Sequence, residues 1–239
     1  MLRIILFSLT SVLITGSAIA QSKATAENSI DLDLAFGKSQ GAFSAAFIHD
    51  WSIGNKKKIV IGLGGRFTAY LARNQYYVTA PAELTSGSTG PGVIFKENIV
   101  ANMDTFLISK PGVFAINGLI NLGYRFTEKF SVGFNIDAIG ISFGSEKKGN
   151  YINGQQGQFS TAKPTSFNAL LVSDNDRGSL NSELYAKYKL NDRWAVRAGL
   201  QFLFTEYTTK TEVQQLPEPN DRFRNKSLMF MVGTSIKLK

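Results

Sequence analysis

The chain has 239 residues and a formal net charge of +8, with 22 Gly, 18 Phe, 8 Tyr and only 6 Pro. That load of Gly and aromatic residues excludes a disordered chain, because enough apolar surface is present to offset the cost of ordering. The absence of Cys and the single His exclude disulfides, thiol catalysis, Cys-ligated zinc and multi-His metal centres, and no internal run approaches the roughly 18 apolar residues of a membrane-spanning helix.

Residues 1–20 read as a secretory signal. Arg3 is the basic residue of the leading region, positions 4–14 are apolar apart from Ser and Thr, and Ala18-x-Ala20 supplies a small-residue cleavage site before Gln21. Residues 21–28 are expected as a short N-terminal segment on the periplasmic side, followed by one domain over 29–239.

From residue 29 onward the dominant period is two, the signature of strands with one apolar and one polar face. Ile30, Leu32, Leu34 and Phe36 alternate with Asp31 and Asp33. Phe43, Phe47 and Trp51 alternate with Ser44, Ala46 and Asp50. Ile59, Ile61, Leu63 and Phe67 alternate with Gly62, Gly64 and Arg66. Further stretches follow near 114–126, 130–138, 183–190, 194–205 and 227–238. Their polar faces carry Arg125, Asp137, Glu183, Lys187 and Arg197. Eight strands are predicted, most of them ten residues or longer. Globular strands average about five or six residues, whereas a tilted strand crossing a bilayer needs about 9–11.

The connections add a second signal. Those at 37–41, 52–57, 127–129 and 191–193 are short, while those at 72–111, 144–180 and 207–222 are long, so that after the first hairpin short and long alternate. In an up-and-down sheet all the connections at one end are then tight turns, and three of the four at the other end are long. Residues 93–109 are expected as a short helix or an extension of a hairpin. Residues 145–180, polar and weakly periodic, are expected as mobile loops.

The polar face is rich in Asn, Gln, Ser, Thr, Gly and charges of both signs. Asp31, Asp33, Asp50, Arg66, Arg125, Asp137, Glu183, Lys187 and Arg197 are therefore expected to neutralise one another inside a closed sheet, with Arg66, Arg125 or Lys187 opposite Asp31 and Asp33. Trp51, Tyr124, Phe126, Phe130 and Trp194 flank the short turns, as an interfacial aromatic girdle would. The reading is all-β: an eight-stranded antiparallel up-and-down transmembrane β-barrel with a cleaved signal peptide.

On these features the chain resembles the eight-stranded outer-membrane barrels of the OmpA, OmpX and opacity-protein type over roughly residues 29–239. The resemblance rests on pattern, with no specific motif. It implies an integral outer-membrane protein of a Gram-negative cell surface with an adhesive or protective role. One departure is the ending Ile236-Lys237-Leu238-Lys239, which lacks the terminal aromatic residue such barrels commonly carry.

Catalytic readings are minor. His49 lies on the apolar face beside Trp51, with Ser44 and Asp50 on the opposite face of the same strand, so a Ser/His site is the lesser reading. Asp174, Asn175 and Asp176 lack the spacing and distal Glu of a calcium loop. Lys56, Lys57 and Lys58 read as a solvated turn or a contact with anionic headgroups. Gly87, Gly90 and Gly92 lack the Gly-Lys-Ser/Thr ending of a phosphate loop. No enzyme activity, cofactor, metal or nucleic-acid partner is expected. The expected partners are outer-membrane lipids and an extracellular ligand or surface partner met by loops 72–110 and 145–180. The alternatives are a small-solute channel, a lipid-modifying enzyme, and a soluble lipocalin-like barrel with its apolar face inside.

Overall fold

The computed structural model describes residues 25–152, 158–171 and 173–239. The signal sequence expected at 1–20 lies outside them. Alternating aromatic or β-branched and small or polar residues favour extended backbone, since each face of a pleated strand then meets one kind of environment. In chain order the strands are β1 (Thr25–Gly37), β2 (Gln40–Ile53), β3 (Ile59–Ala72), β4 (Gln75–Thr79), β5 (Thr105–Ile108), β6 (Gly112–Arg125) and β7 (Phe130–Phe143). They continue with β8 (Lys147–Tyr151), β9 (Gln158–Pro164), β10 (Phe167–Ala169), β11 (Leu180–Lys189), β12 (Trp194–Thr209) and β13 (Arg222–Lys237). A five-residue helix α1 (Ala82–Ser86) and short 3-10 turns at Pro91–Phe95, Val100–Asn102 and Ser173–Asn175 lie in the long connections.

The sheet is antiparallel and thirteen-stranded, not eight-stranded. The five additional strands, β4, β5, β8, β9 and β10, are three to seven residues long. Pieces that short show no clear period against a polar loop sequence, and pairing with neighbours is what holds them extended. Three of them fall within 145–180, which is therefore partly ordered sheet. Residues 93–109 form 3-10 turns and β5, which pairs with β4 as the hairpin alternative expects, and no α-helix. The sheet also begins earlier than residue 29, since Thr25 pairs with Ser52 and Asn28 with His49.

The eight long strands pair in a cycle. β1 pairs β2, then β3, β6, β7, β11, β12 and β13 follow in turn, and β13 returns to β1 from Ser29↔Lys237 to Phe36↔Phe230. No edge of this ring is left open. The connections at one end are tight: Gly54, at φ +83°, opens the β2–β3 turn, where Lys57 N–H donates to the Gly54 carbonyl at 2.9 Å. In β7 a bulge at Ala138 breaks the alternation, pairing Leu119 with Asp137 but Gly118 with Ile139. Asp137 therefore points inward while Ile139 points outward, and the bulged Ala138 carbonyl accepts Leu170 N–H at 2.7 Å.

At the long-connection end β12 and β13 continue beyond the eight-strand ring and join a second one. β12 pairs β9, β9 pairs β8, β8 pairs β5, β5 pairs β4, and β4 pairs β13. This six-strand cap encloses Tyr77, Phe106, Tyr151, Tyr207 and Phe223. Tyr77 meets Tyr207 edge-on at 5.2 Å between centroids, and Phe106 meets Phe223 at 5.6 Å.

The two rings have opposite polarity. Inside the larger one Asp31, Arg66, Asn117, Asn135, Asp137, Glu183 and Arg197 are buried, while Leu34, Phe36, Leu63 and Phe230 on its outside are 48%, 57%, 53% and 56% exposed. In the cap Tyr77, Phe106, Tyr151, Tyr207 and Phe223 are inside, while Lys148 and Lys163 are exposed outside together with Tyr76 and Phe159. Replacing Phe223 with Ala should cost the cap about 3–5 kcal/mol and leave the larger ring folded. Limited proteolysis should then cut the long connections faster while unheated samples on SDS gels still run apart from boiled ones, as expected of a closed ring that stays folded in SDS until heated, and loss of that heat-dependent shift would show that the two rings fold as one unit.

Candidate functional site

The polar interior is organised by two arginines. Arg66, from β3, donates from Nε and Nη2 to Asp137 Oδ1 of β7 at 2.9 and 2.7 Å, and Nη1 lies 2.7 Å from Glu183 Oε1 of β11. Arg197, from β12, donates from Nη2 to Glu183 Oε2 at 3.1 Å and from Nη1 to Asp31 and Asp33 of β1 at 2.5 and 2.9 Å. Glu183 thus joins the two guanidinium groups, and a continuous chain of charges crosses the ring from β7 to β1.

Amides extend the network. Asn135 donates to Glu183 Oε2 at 3.0 Å and accepts Arg66 Nη1 at 2.9 Å. Asn117 donates to Asp137 Oδ2 at 2.7 Å, and Asn168 donates to Asn117 at 2.7 Å. Tyr185 lies over Gly133, where a Cβ would collide with its ring, and the Arg197 guanidinium stacks on its other side at 4.1 Å. Charges taken out of water need such partners, since an unpaired one costs several kcal/mol; Arg197 Nε and the Oδ1 atoms of Asp31 and Asp33 are buried without a hydrogen bond among the described residues.

Of the remaining expected interior charges, Lys187 and Asp50 lie inside the ring and Arg125 does not. Arg125 is at the rim, one-third exposed and 3.9 Å from Glu27, because β6 ends there and its side chain reaches water. Lys187 is half-buried and donates to Ser235 Oγ at 3.2 Å. Asp50 accepts Asn121 Nδ2 at 2.8 Å. The counter-charge of Asp31 and Asp33 is therefore Arg197, not Arg66, Arg125 or Lys187. β13 places β1 and β12 on its two sides, a neighbourhood that only ring closure creates.

The girdle residues gather at the short-turn end. Tyr124 meets Phe126 edge-on at 5.0 Å and Phe126 lies 5.9 Å from Phe130 across the turn, while Trp51 carries His49 against it at 4.5 Å. Trp194 N–H donates to Asn191 Oδ1 at 2.9 Å, which fixes the turn before β12. His49 Nδ1 is 2.5 Å from Asn28 Oδ1. Ser44 donates to Glu183 on the other side of the wall at 3.2 Å, so His49, Ser44 and Asp50 are not brought together.

The base of the cap holds a group that alternation alone did not reveal. Glu206 accepts Arg222 Nε at 2.9 Å and Arg224 Nη2 at 2.8 Å. The signal was Arg222 and Arg224 beside a run of strand-forming residues, but their partner depends on the register Glu206↔Arg224. Asp174 pairs with Lys226 at 2.5 Å, and Asp176 Oδ1 accepts Leu171 N–H at 2.6 Å, so both carboxylates are engaged within the cap. Burial pushes the Asp176 carboxyl above its ordinary range, against the lowering effects of that hydrogen bond and of Arg224. Burial, and then the hydrogen bond to Asp104, pushes the Tyr151 hydroxyl well up. Among the described residues no group of three or more His, Asp or Glu side chains is arranged to hold a metal.

No protein-family model matches the chain, and no curated protein matches it. Solved structures with a related chain path include Ail, the attachment invasion locus protein of Yersinia pestis, at 10% identity and a TM-score of 0.38, covering 89% of this chain and 97% of that one. Neisserial surface protein A shares 11% identity at a TM-score of 0.36, covering 91% and 100%. A Pseudomonas aeruginosa FadL homologue shares 12% at 0.18, covering 83% and 68%. These likenesses assign neither a family nor a function.

Substituting Arg197 with Met removes the counter-charge of Asp31 and Asp33 and should destabilise the folded ring by about 3–5 kcal/mol. Urea unfolding in detergent, followed by Trp fluorescence, reads the change. A loss below about 1 kcal/mol would mean that these carboxylates do not depend on Arg197.

Proposed function

We propose that the chain is a transmembrane β-barrel of a Gram-negative outer membrane with a structural or surface-interaction role, its partner met by the long-connection cap. The observation that carries this reading is the inverted polarity of the eight-strand ring. A continuous outer belt of Leu, Ile, Phe and Val has no reason to face water, whereas in hydrocarbon it is the stable arrangement. The closed cycle fits the same medium, because an unpaired strand edge in hydrocarbon costs several kcal/mol per backbone group. The soluble lipocalin-like alternative requires the apolar face inside and is the opposite of what is found.

The cap supports the assignment of ends. Its aromatic interior and lysine-bearing exterior suit water, so the long connections lie outside the membrane and the short turns, with the girdle aromatics, lie at the other interface. Short turns at the periplasmic side agree with an exported chain. A structural or binding role is favoured over solute conduction because the charge chain through Glu183 and the aromatic cap both fill the path along the axis. Loops carried on a rigid scaffold are the usual seat of recognition, which supports ligand contacts in 72–110 and 145–180.

Two measurements test this. Leu200 is on the outer belt and paired with Phe230. Leu200→Arg should lower stability by about 2–4 kcal/mol in a lipid bilayer, whereas on a water-exposed face the same change would be neutral. In planar bilayers the reconstituted protein should show no steady conductance. A stable ohmic pore would overturn the non-conducting assignment in favour of the channel, and recovery of the protein from the soluble fraction would overturn the membrane assignment itself.

A further inference from the structure

The short-turn end of the larger ring is hollow. A cavity of about 550 Å³ opens there and ends against Asp50, Asn121, Tyr185 and Lys187. Above this floor the chain of charges through Arg197 and Glu183 closes the axis. Seven lysines and two arginines line the cavity against four carboxylates, Glu27, Asp50, Glu128 and Asp192.

Among the described residues most of those cations have no acidic partner within ion-pair distance. Glu27 is shared by Lys237 at 2.8 Å and Arg125 at 3.9 Å, and Asp192 lies 3.4 Å from Lys189. Asp50 is held by Asn121. Lys187, at the floor, forms no ion pair among the described residues. Its ammonium has the Ser235 hydroxyl at 3.2 Å and the face of Tyr185 at 5.8 Å. Lys58 lies over the Tyr124 ring at 5.9 Å. A cluster of like charges repels itself, and in a concave site with low-dielectric walls its field is focused on whatever occupies the hollow.

We propose that this vestibule binds a compact, water-soluble polyanion carrying several phosphate groups, admitted from the short-turn side. The chemistry of the lining selects the class. Lysine ammonium groups are point charges that contact phosphate oxygens from any direction, whereas a carboxylate is best held by the paired N–H groups of arginine. Cations distributed around a hollow and at its floor match an anion with several charges better than a single ion. The eight-strand wall separates the floor from surrounding lipid, so the ligand comes from water and not from neighbouring headgroups. This site is distinct from the loop cap, and its occupancy does not depend on what the cap binds.

Titration calorimetry tests the site, with inorganic tripolyphosphate as the probe and the folded protein in nonionic detergent at low salt. The expected result is saturable one-to-one binding that weakens as salt rises. Lys187→Gln should weaken it about tenfold, while Lys226→Gln, at the opposite end of the molecule, should leave it unchanged. If Lys187→Gln fails to give the heat-dependent gel shift of a folded ring, Arg125→Gln at the rim replaces it, with the same expected direction. Absence of saturable binding, or equal binding by the Lys187 variant, overturns the site. Equally tight binding of citrate overturns the phosphate class. Loss of tripolyphosphate binding in nanodiscs of anionic lipid, with binding retained in zwitterionic ones, overturns the water-soluble source.

Discussion

The bridge that Glu183 makes between Arg66 and Arg197 is the interaction on which the arrangement of the larger ring depends. A closed sheet of alternating strands must put one face inside. If that face is polar, every buried charge must find a partner or the fold loses several kcal/mol for each one that does not. Glu183 accepts from both arginines, Asp137 completes the coordination of one, and Asp31 and Asp33 complete that of the other. With each of these charges paired to an opposite one, the apolar face is free to point outward.

The cap shows the same physics with the sign reversed. β12 and β13 pass from one ring into the other, and the residues enclosed between them change from Gln201 and Ser227 to Tyr207 and Phe223. Where the exterior is apolar the inside carries the ionic network, with Tyr70, Met229 and Met231 above it, and toward the long connections the inside becomes mainly aromatic around the Glu206–Arg224 pair. Such a switch along two continuous strands marks a change of surrounding medium. It also divides the axis into three zones: an aromatic plug under the long connections, an ionic brace in the middle, and a cationic hollow at the short-turn end.

The alternation of Ile30, Leu32, Leu34 and Phe36 with Asp31 and Asp33 was enough to predict a two-faced strand, and the same holds for the other seven long strands. The short turns at 54–58, 126–129 and 190–193 were legible because each separates two such runs. The additional strands β4, β5, β8, β9 and β10 were not, since a piece of three to seven residues carries too few alternations to stand out. The bulge at Ala138 was hidden for a related reason: Asp137 and Ile139 have the same parity, and only the pairing with β6 shows that one points in and the other out.

The residue pattern by itself determined that the chain is all-β, which residues share a face, and that the buried candidates include Asp31, Asp33, Arg66, Asp137, Glu183 and Arg197, because side-chain direction along a strand is a local property of the backbone. Tertiary structure decided the rest. That Asp31 meets Arg197, that Glu206 meets Arg224, that Arg125 reaches the rim, and that two long connections combine into a second ring all depend on strand order and register between segments far apart in the chain. Those follow from closing the whole sheet, a constraint that no single strand carries.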